Sequence, residues 1–83
     1  MENATSKHLL TLANLYGAHI GLSHWRVSFL VRKDGQFFKR LDGGASCTLK
    51  TAAAVLQWFS DNWPDDLAWP KDIARPAKSK RAA

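Results

Sequence analysis

Gly21 does more than any other residue to limit how this chain can fold. It stands directly after a stretch, residues 6–20, in which Leu9, Leu12, Ala13, Tyr16 and Ile20 recur at i, i+3, i+4, i+7 and i+11. That spacing predicts a helix with one apolar stripe. Thr5 or Ser6 suits its N-cap. A glycine just past the last periodic residue supplies the positive φ at which helices commonly end. The chain therefore runs a long helix and then turns sharply.

The segment after the turn carries two local signals. Trp25, Val27, Phe29 and Val31 alternate with polar or smaller residues, which is strand period. Asp34-Gly35 followed by Gln36-Phe37-Phe38 would then close a hairpin of 25–31 with 36–41, giving an αββα domain. Against this, Ser23 is a good N-cap, and Val27, Leu30 and Val31 sit at i, i+3 and i+4. Local pattern alone leaves strand and helix open here.

The rest of the chain is more decided. Residues 36–42 form a short amphipathic element that Gly43-Gly44 ends. Thr48 opens a helix over 48–62, with Leu49, Ala52, Ala53, Leu56 and Phe59, or else Val55 and Trp58, at helical period. Ala52, Ala53 and Ala54 favour helix, and Trp63-Pro64 stops it. A hexad then repeats: Trp63-Pro-Asp-Asp-Leu-Ala68, then Trp69-Pro-Lys-Asp-Ile-Ala74. Two hexads are too short for a solenoid, so the expectation is a strap in which Trp63, Leu67, Trp69 and Ile73 dock on the helices. Residues 1–76 make one domain, and 77–83 are expected to be a disordered basic tail.

With 83 residues there is room for one small domain, which is cramped for a substrate cleft and a cofactor fold. No enzyme activity and no cofactor are expected. No apolar run approaches the ~20 residues of a membrane span. The first residues lack a basic region followed by an apolar stretch, so no secretory leader is expected. Cys47 is the one cysteine, so no intrachain disulfide can form, and a reducing cytoplasm is the expected compartment. The net charge of +5 is unevenly spread. Residues 32–50 hold Arg32, Lys33, Lys39, Arg40 and Lys50 against Asp34 and Asp42. Residues 51–70 hold only acids, Asp61, Asp65 and Asp66, and the tail is basic again. A basic middle with an acidic back suits a polyanion on one face.

Residues 12–31 carry the functional signal. Gly17 is the small residue a helix-turn-helix needs where the second helix crosses the first, and Gly21 lies in the turn. Tyr16, Ile20, Leu22, Val27 and Leu30 take the buried positions, and Ser23 caps the second helix. "GLSHWRVSFL" resembles the turn and recognition helix of the small bacterial and phage helix-turn-helix DNA-binding regulators. "FFKRLDGG" and "WFSDNWP" look more loosely like small helix-turn-helix proteins of prophages and integrative elements. One departure is Gly17, where the family usually has Ala; glycine there weakens the helix by up to about 1 kcal/mol.

The resemblance resolves the tie at 23–31 as helix. It implies an all-α domain of about four helices, over 6–20, 23–31, 36–42 and 48–62, with a C-terminal Trp/Pro strap. It also implies a sequence-specific, DNA-binding transcription regulator of a phage or mobile element, in which residues 23–31 read the major groove. Val27 and Leu30 then face the core, and His24, Trp25, Arg26, Ser28, Phe29 and Arg32 face the groove or its walls. Arg26 is the candidate for a bidentate contact to guanine, with His24 and Ser28 as weaker polar contacts. Ser23 and the helix N-terminus suit a phosphate. Lys33, Lys39, Arg40 and Lys50 are candidate backbone contacts. A homodimer on double-stranded DNA is expected, with Trp58, Trp63 and Trp69 near its interface.

Trp25 and Phe29 are unusual on a recognition face, and core is the commoner place for such residues. If exposed, they open an alternative: a regulator that grips a second regulatory protein through Trp25, Phe29, Phe37 and Phe38 without touching DNA. Other sites recede. His8, His19, His24 and Cys47 lack zinc-site spacing. Asp65 and Asp66 are neighbours after a proline and fit a solvated turn. Cys47 near a helix start invites a lowered pKa, though a partly buried structural thiol is the simpler reading.

Overall fold

The computed structural model describes residues 4–45 and 47–77. It contains four helices and, among the described residues, no strand: α1 (Ala4–Ile20), α2 (His24–Arg32), α3 (Phe37–Asp42) and α4 (Leu49–Asn62). The all-α architecture stands, and the hairpin alternative over 25–41 falls, because 24–32 and 37–42 are helical. The expected disordered tail lies outside the described residues, apart from Ala77. Thr5 and Ser6 lie inside α1 and so are not its N-cap.

The corner between α1 and α2 explains both glycines. The Gly17 carbonyl accepts N–H bonds from Gly21 at 2.8 Å and Leu22 at 2.9 Å, and Gly21 has φ +77°. That is a helix end closed through a left-handed residue. Gly17 serves a different purpose. A Cβ there would stand 2.7 Å from the Leu22 carbonyl oxygen and 3.4 Å from Val27 Cγ2. The turn and α2 fold directly over the bare backbone of α1, and an alanine side chain at this position would collide with the Leu22 carbonyl.

α1 packs against α2, α3 and α4. Leu9, Leu12, Ala13 and Tyr16 are buried as the stripe predicts, together with Val27, Phe37, Phe38, Leu41, Ala52, Val55 and Phe59. Two expected core residues are not in it. Ile20, in the last turn of α1, and Leu30, on the outer side of α2, are exposed. Leu49 is also exposed, so in α4 the inward line runs through Ala52, Val55 and Phe59.

Aromatic rings bind the layers together. Tyr16 meets Trp58 edge-on at 5.4 Å, Phe59 at 5.8 Å and Trp63 at 6.1 Å, and Phe59 meets Phe38 at 6.0 Å. Such pairs add about 0.5–1.5 kcal/mol each beyond area burial. Burial also pushes the Tyr16 phenol above its ordinary pKa.

The hexads are one structural unit used twice. Trp63 Nε1 donates to the Leu67 carbonyl and Trp69 Nε1 to the Ile73 carbonyl, each at 2.7 Å. The Leu67 and Ile73 amides bond back to the carbonyls of Pro64 and Pro70. Each indole thus closes a proline turn four residues on and satisfies its own N–H. Trp63 and Ile73 are buried, and Leu67 and Trp69 pack against the core, as expected. Arg75 fixes the end of the strap. It lies 5.2 Å from the Trp69 ring centre and donates to the Ser60 carbonyl at 2.9 Å. The Ser60 hydroxyl in turn donates to the Pro76 carbonyl.

The Gly17→Ala variant should test the corner. Helix propensity alone favours alanine by about 1 kcal/mol, while overpacking against fixed backbone costs about 1–3 kcal/mol. Urea unfolding should show net destabilisation; a more stable protein would contradict the close approach.

Candidate nucleic-acid interface

Ser23 begins α2 with extended backbone, and its Oγ accepts the Arg26 N–H at 3.3 Å. It is the N-cap the sequence predicts. Lys33 ends the helix in the left-handed region, φ +60°, with its N–H on the Phe29 carbonyl. Between these ends, Val27 and Ser28 are fully buried and Val31 is half-buried against the core. These burials set the phase of the helix. Trp25, Arg26, Phe29, Leu30 and Lys33 share the outward side, and Arg32 is exposed beside them.

This phase corrects several expectations. Ser28 does not face a groove. It is buried, and its Oγ accepts the Phe38 N–H at 3.0 Å. α3 has no side-chain cap of its own at Gln36, so α2 supplies one from ten residues upstream. His24 is turned back as well. It is half-buried, its Nε2 hydrogen-bonds Asn14 Oδ1 of α1, and its ring lies 6.5 Å from that of Phe38. Leu30 points outward rather than into the core.

Trp25 and Phe29 are not core residues. They are 50% and 45% exposed, and their rings are stacked at 5.5 Å with 5° between planes. Phe37 and Phe38, by contrast, are buried, so an exposed aromatic surface cannot include them. Trp63 is buried too, and the Trp58 and Trp69 rings pack within the chain.

The cations fall on three elements. Arg26, Arg32 and Lys33 belong to α2 and its end, Lys39 and Arg40 to α3, and Lys50 to the first turn of α4; all are exposed. α2 and α3 pack against each other. Arg40 is partly committed, because its guanidinium pairs with Asp34. That bond, with the Gln36 N–H, holds the Asp34 carboxyl below its ordinary pKa. Asp65 and Asp66 are exposed in the strap, where Asp66 takes His19 of α1 at 3.0 Å. The Cys47 thiol is pushed up by burial, against a smaller opposing pull from Arg32, so the lowered value is not found.

No group of histidine, cysteine and acidic residues among the described residues is placed to hold a metal ion. No helix among them is long and apolar enough to cross a membrane. Comparison with protein-family models, curated proteins and solved structures finds no match for this chain.

Ser28→Ala should behave as a folding variant. It leaves the buried Phe38 amide without its acceptor, which costs about 1–3 kcal/mol. Thermal denaturation should show that loss; an unchanged Tm would contradict the capping role.

Proposed function

We propose that this protein is a sequence-specific, double-stranded-DNA-binding transcription regulator of the kind carried by phages and mobile elements. It works in the cytoplasm, and α2 is its major-groove reading helix. The observation that carries this reading is the outward face of α2. It holds Arg26 in its first turn and Arg32 and Lys33 at its end, it contains no acid, and it is fixed by the corner at Gly17. The N-terminal residues of a recognition helix are those that reach base edges. Arg26 is the exposed donor at that position, with the five-donor fork that fits guanine O6 and N7.

The burial of Ser28 and the Asn14 bond of His24 remove both from base contact, which concentrates readout on Arg26 and the aromatic pair. Ser23 keeps its hydroxyl proton for a phosphate, because its oxygen is the acceptor in the cap. Lys33, Lys39 and Lys50 suit the DNA backbone. A single small unit makes few contacts, so a dimer over half-sites ~34 Å apart completes the reading. The exposed Trp25–Phe29 stack favours one second reading, a regulator that docks on another protein through that stack and makes no DNA contact.

Fluorescence anisotropy with random-sequence duplex separates these readings. At ~50 mM and ~200 mM salt the DNA reading predicts binding that weakens tenfold or more between the two. On a selected site, Arg26→Ala should cost about 1–3 kcal/mol and relax preference at one base pair, while Lys39→Ala should weaken all sequences alike. Absence of binding at low salt would overturn the DNA reading. Equal, sequence-blind losses from both variants would remove the base-reading role of Arg26.

A further inference from the structure

The outward strip of α2 is more apolar than phosphate binding requires. Trp25 and Phe29 are half-exposed and parallel, and Leu30, 46% exposed, widens the strip. The indole is held from beneath. A Cβ on Gly35 would stand 2.1 Å from Trp25 Nε1, so the ring lies against bare backbone in the turn after α2. Phe29 therefore rests on a supported platform. Apolar surface so fixed and uncovered marks a contact site.

Its surroundings limit what can cover it. Arg26 shares the strip, Arg32 and Lys33 close one end, no acid lies within the helix, and the acid just beyond it, Asp34, is paired with Arg40. The occupant has an apolar centre and anionic margins. The thymine C5-methyl is the apolar group on the floor of the major groove, and phosphates line both walls. Charge complementarity thus favours a thymine-bearing groove. Arg26 and Phe29 are three residues apart, ~4.5 Å along the helix axis. That is close to the ~3.4 Å between successive bases on one strand.

Resting on the reading of α2 as the major-groove helix, we propose that Phe29, stacked on Trp25, is a specificity-determining residue that reads thymine methyl groups. The preferred sites carry thymine within one or two base pairs of the guanine that Arg26 contacts. Trp25 is a positioning residue, because it holds the Phe29 ring.

The test begins by selecting a site from a randomised duplex library with the full chain. Each thymine in that site is then replaced singly by deoxyuracil, which removes the methyl and keeps the hydrogen-bonding edge. Affinity should fall about fourfold at one or two positions, the worth of one buried methyl group. Phe29→Ala should bind the thymine site more weakly and lose all sensitivity to deoxyuracil. Gly35→Ala, which displaces the indole, should blunt that sensitivity. Phe29 is exposed, so its variant should keep the wild-type Tm and helical circular dichroism. Tight binding to the selected site with no deoxyuracil effect anywhere would overturn methyl readout and leave DNA recognition standing. The same holds if Phe29→Ala keeps full sensitivity. Failure to select any site would overturn both, and a protein partner would then be the occupant of the strip.

Discussion

The bare backbone at Gly17 is the constraint on which the remaining geometry depends. Its carbonyl gathers two amides of the turn, and the place where its Cβ would stand is filled by the Leu22 carbonyl and the Val27 side chain. Those two facts set both the direction and the phase of α2. Once Val27 is inside, helical spacing puts Ser28 and Val31 inward and Trp25, Arg26, Phe29 and Leu30 outward. Ser28 then meets the start of α3, which has no local cap and takes its acceptor from α2. One close approach therefore decides which side chains are structural and which are available.

The nine aromatic residues divide into two populations by this rule. Seven interlock inside or along the core, from Phe37 and Phe38 through Phe59 and Tyr16 to Trp58, Trp63 and Trp69. The strap continues that interlock, and its paired hexads place each indole N–H on a carbonyl of its own turn. Arg75, bonded to Ser60 and lying over Trp69, fastens the strap to α4. Trp25 and Phe29 stand apart on α2. The strap leaves the outward strip of α2 uncovered.

Much of this is legible in the amino-acid order. The stripe of α1, the glycine stop, the cap at Ser23 and the docking of the hexads all derive from spacing and turn chemistry. The identity of 24–32 is not locally decidable, because Trp25, Val27, Phe29 and Val31 alternate while Val27, Leu30 and Val31 also fit a helix. Its phase is harder still. Trp25, Phe29 and Leu30 are as apolar as Val27, yet it is Val27 that packs over Gly17 and joins the core. Ser28 carries no sequence mark of a buried acceptor; the one available signal is Gln36, a poor N-cap, ahead of α3. His24 reads as a groove residue because its partner, Asn14, lies on the preceding helix. Long-range contacts, not local propensity, account for each of these differences.

Chemical-shift mapping tests the central claim, that the corner at Gly17 presents α2 as the recognition surface, most directly. Adding duplex DNA to the ¹⁵N-labelled protein should move the backbone amides of 23–33 and the Trp25 indole N–H. The indole signals of Trp63 and Trp69, both bonded to carbonyls of the strap, should stay where they are. Shifts confined to α4 and the strap, with α2 unmoved, would contradict the account.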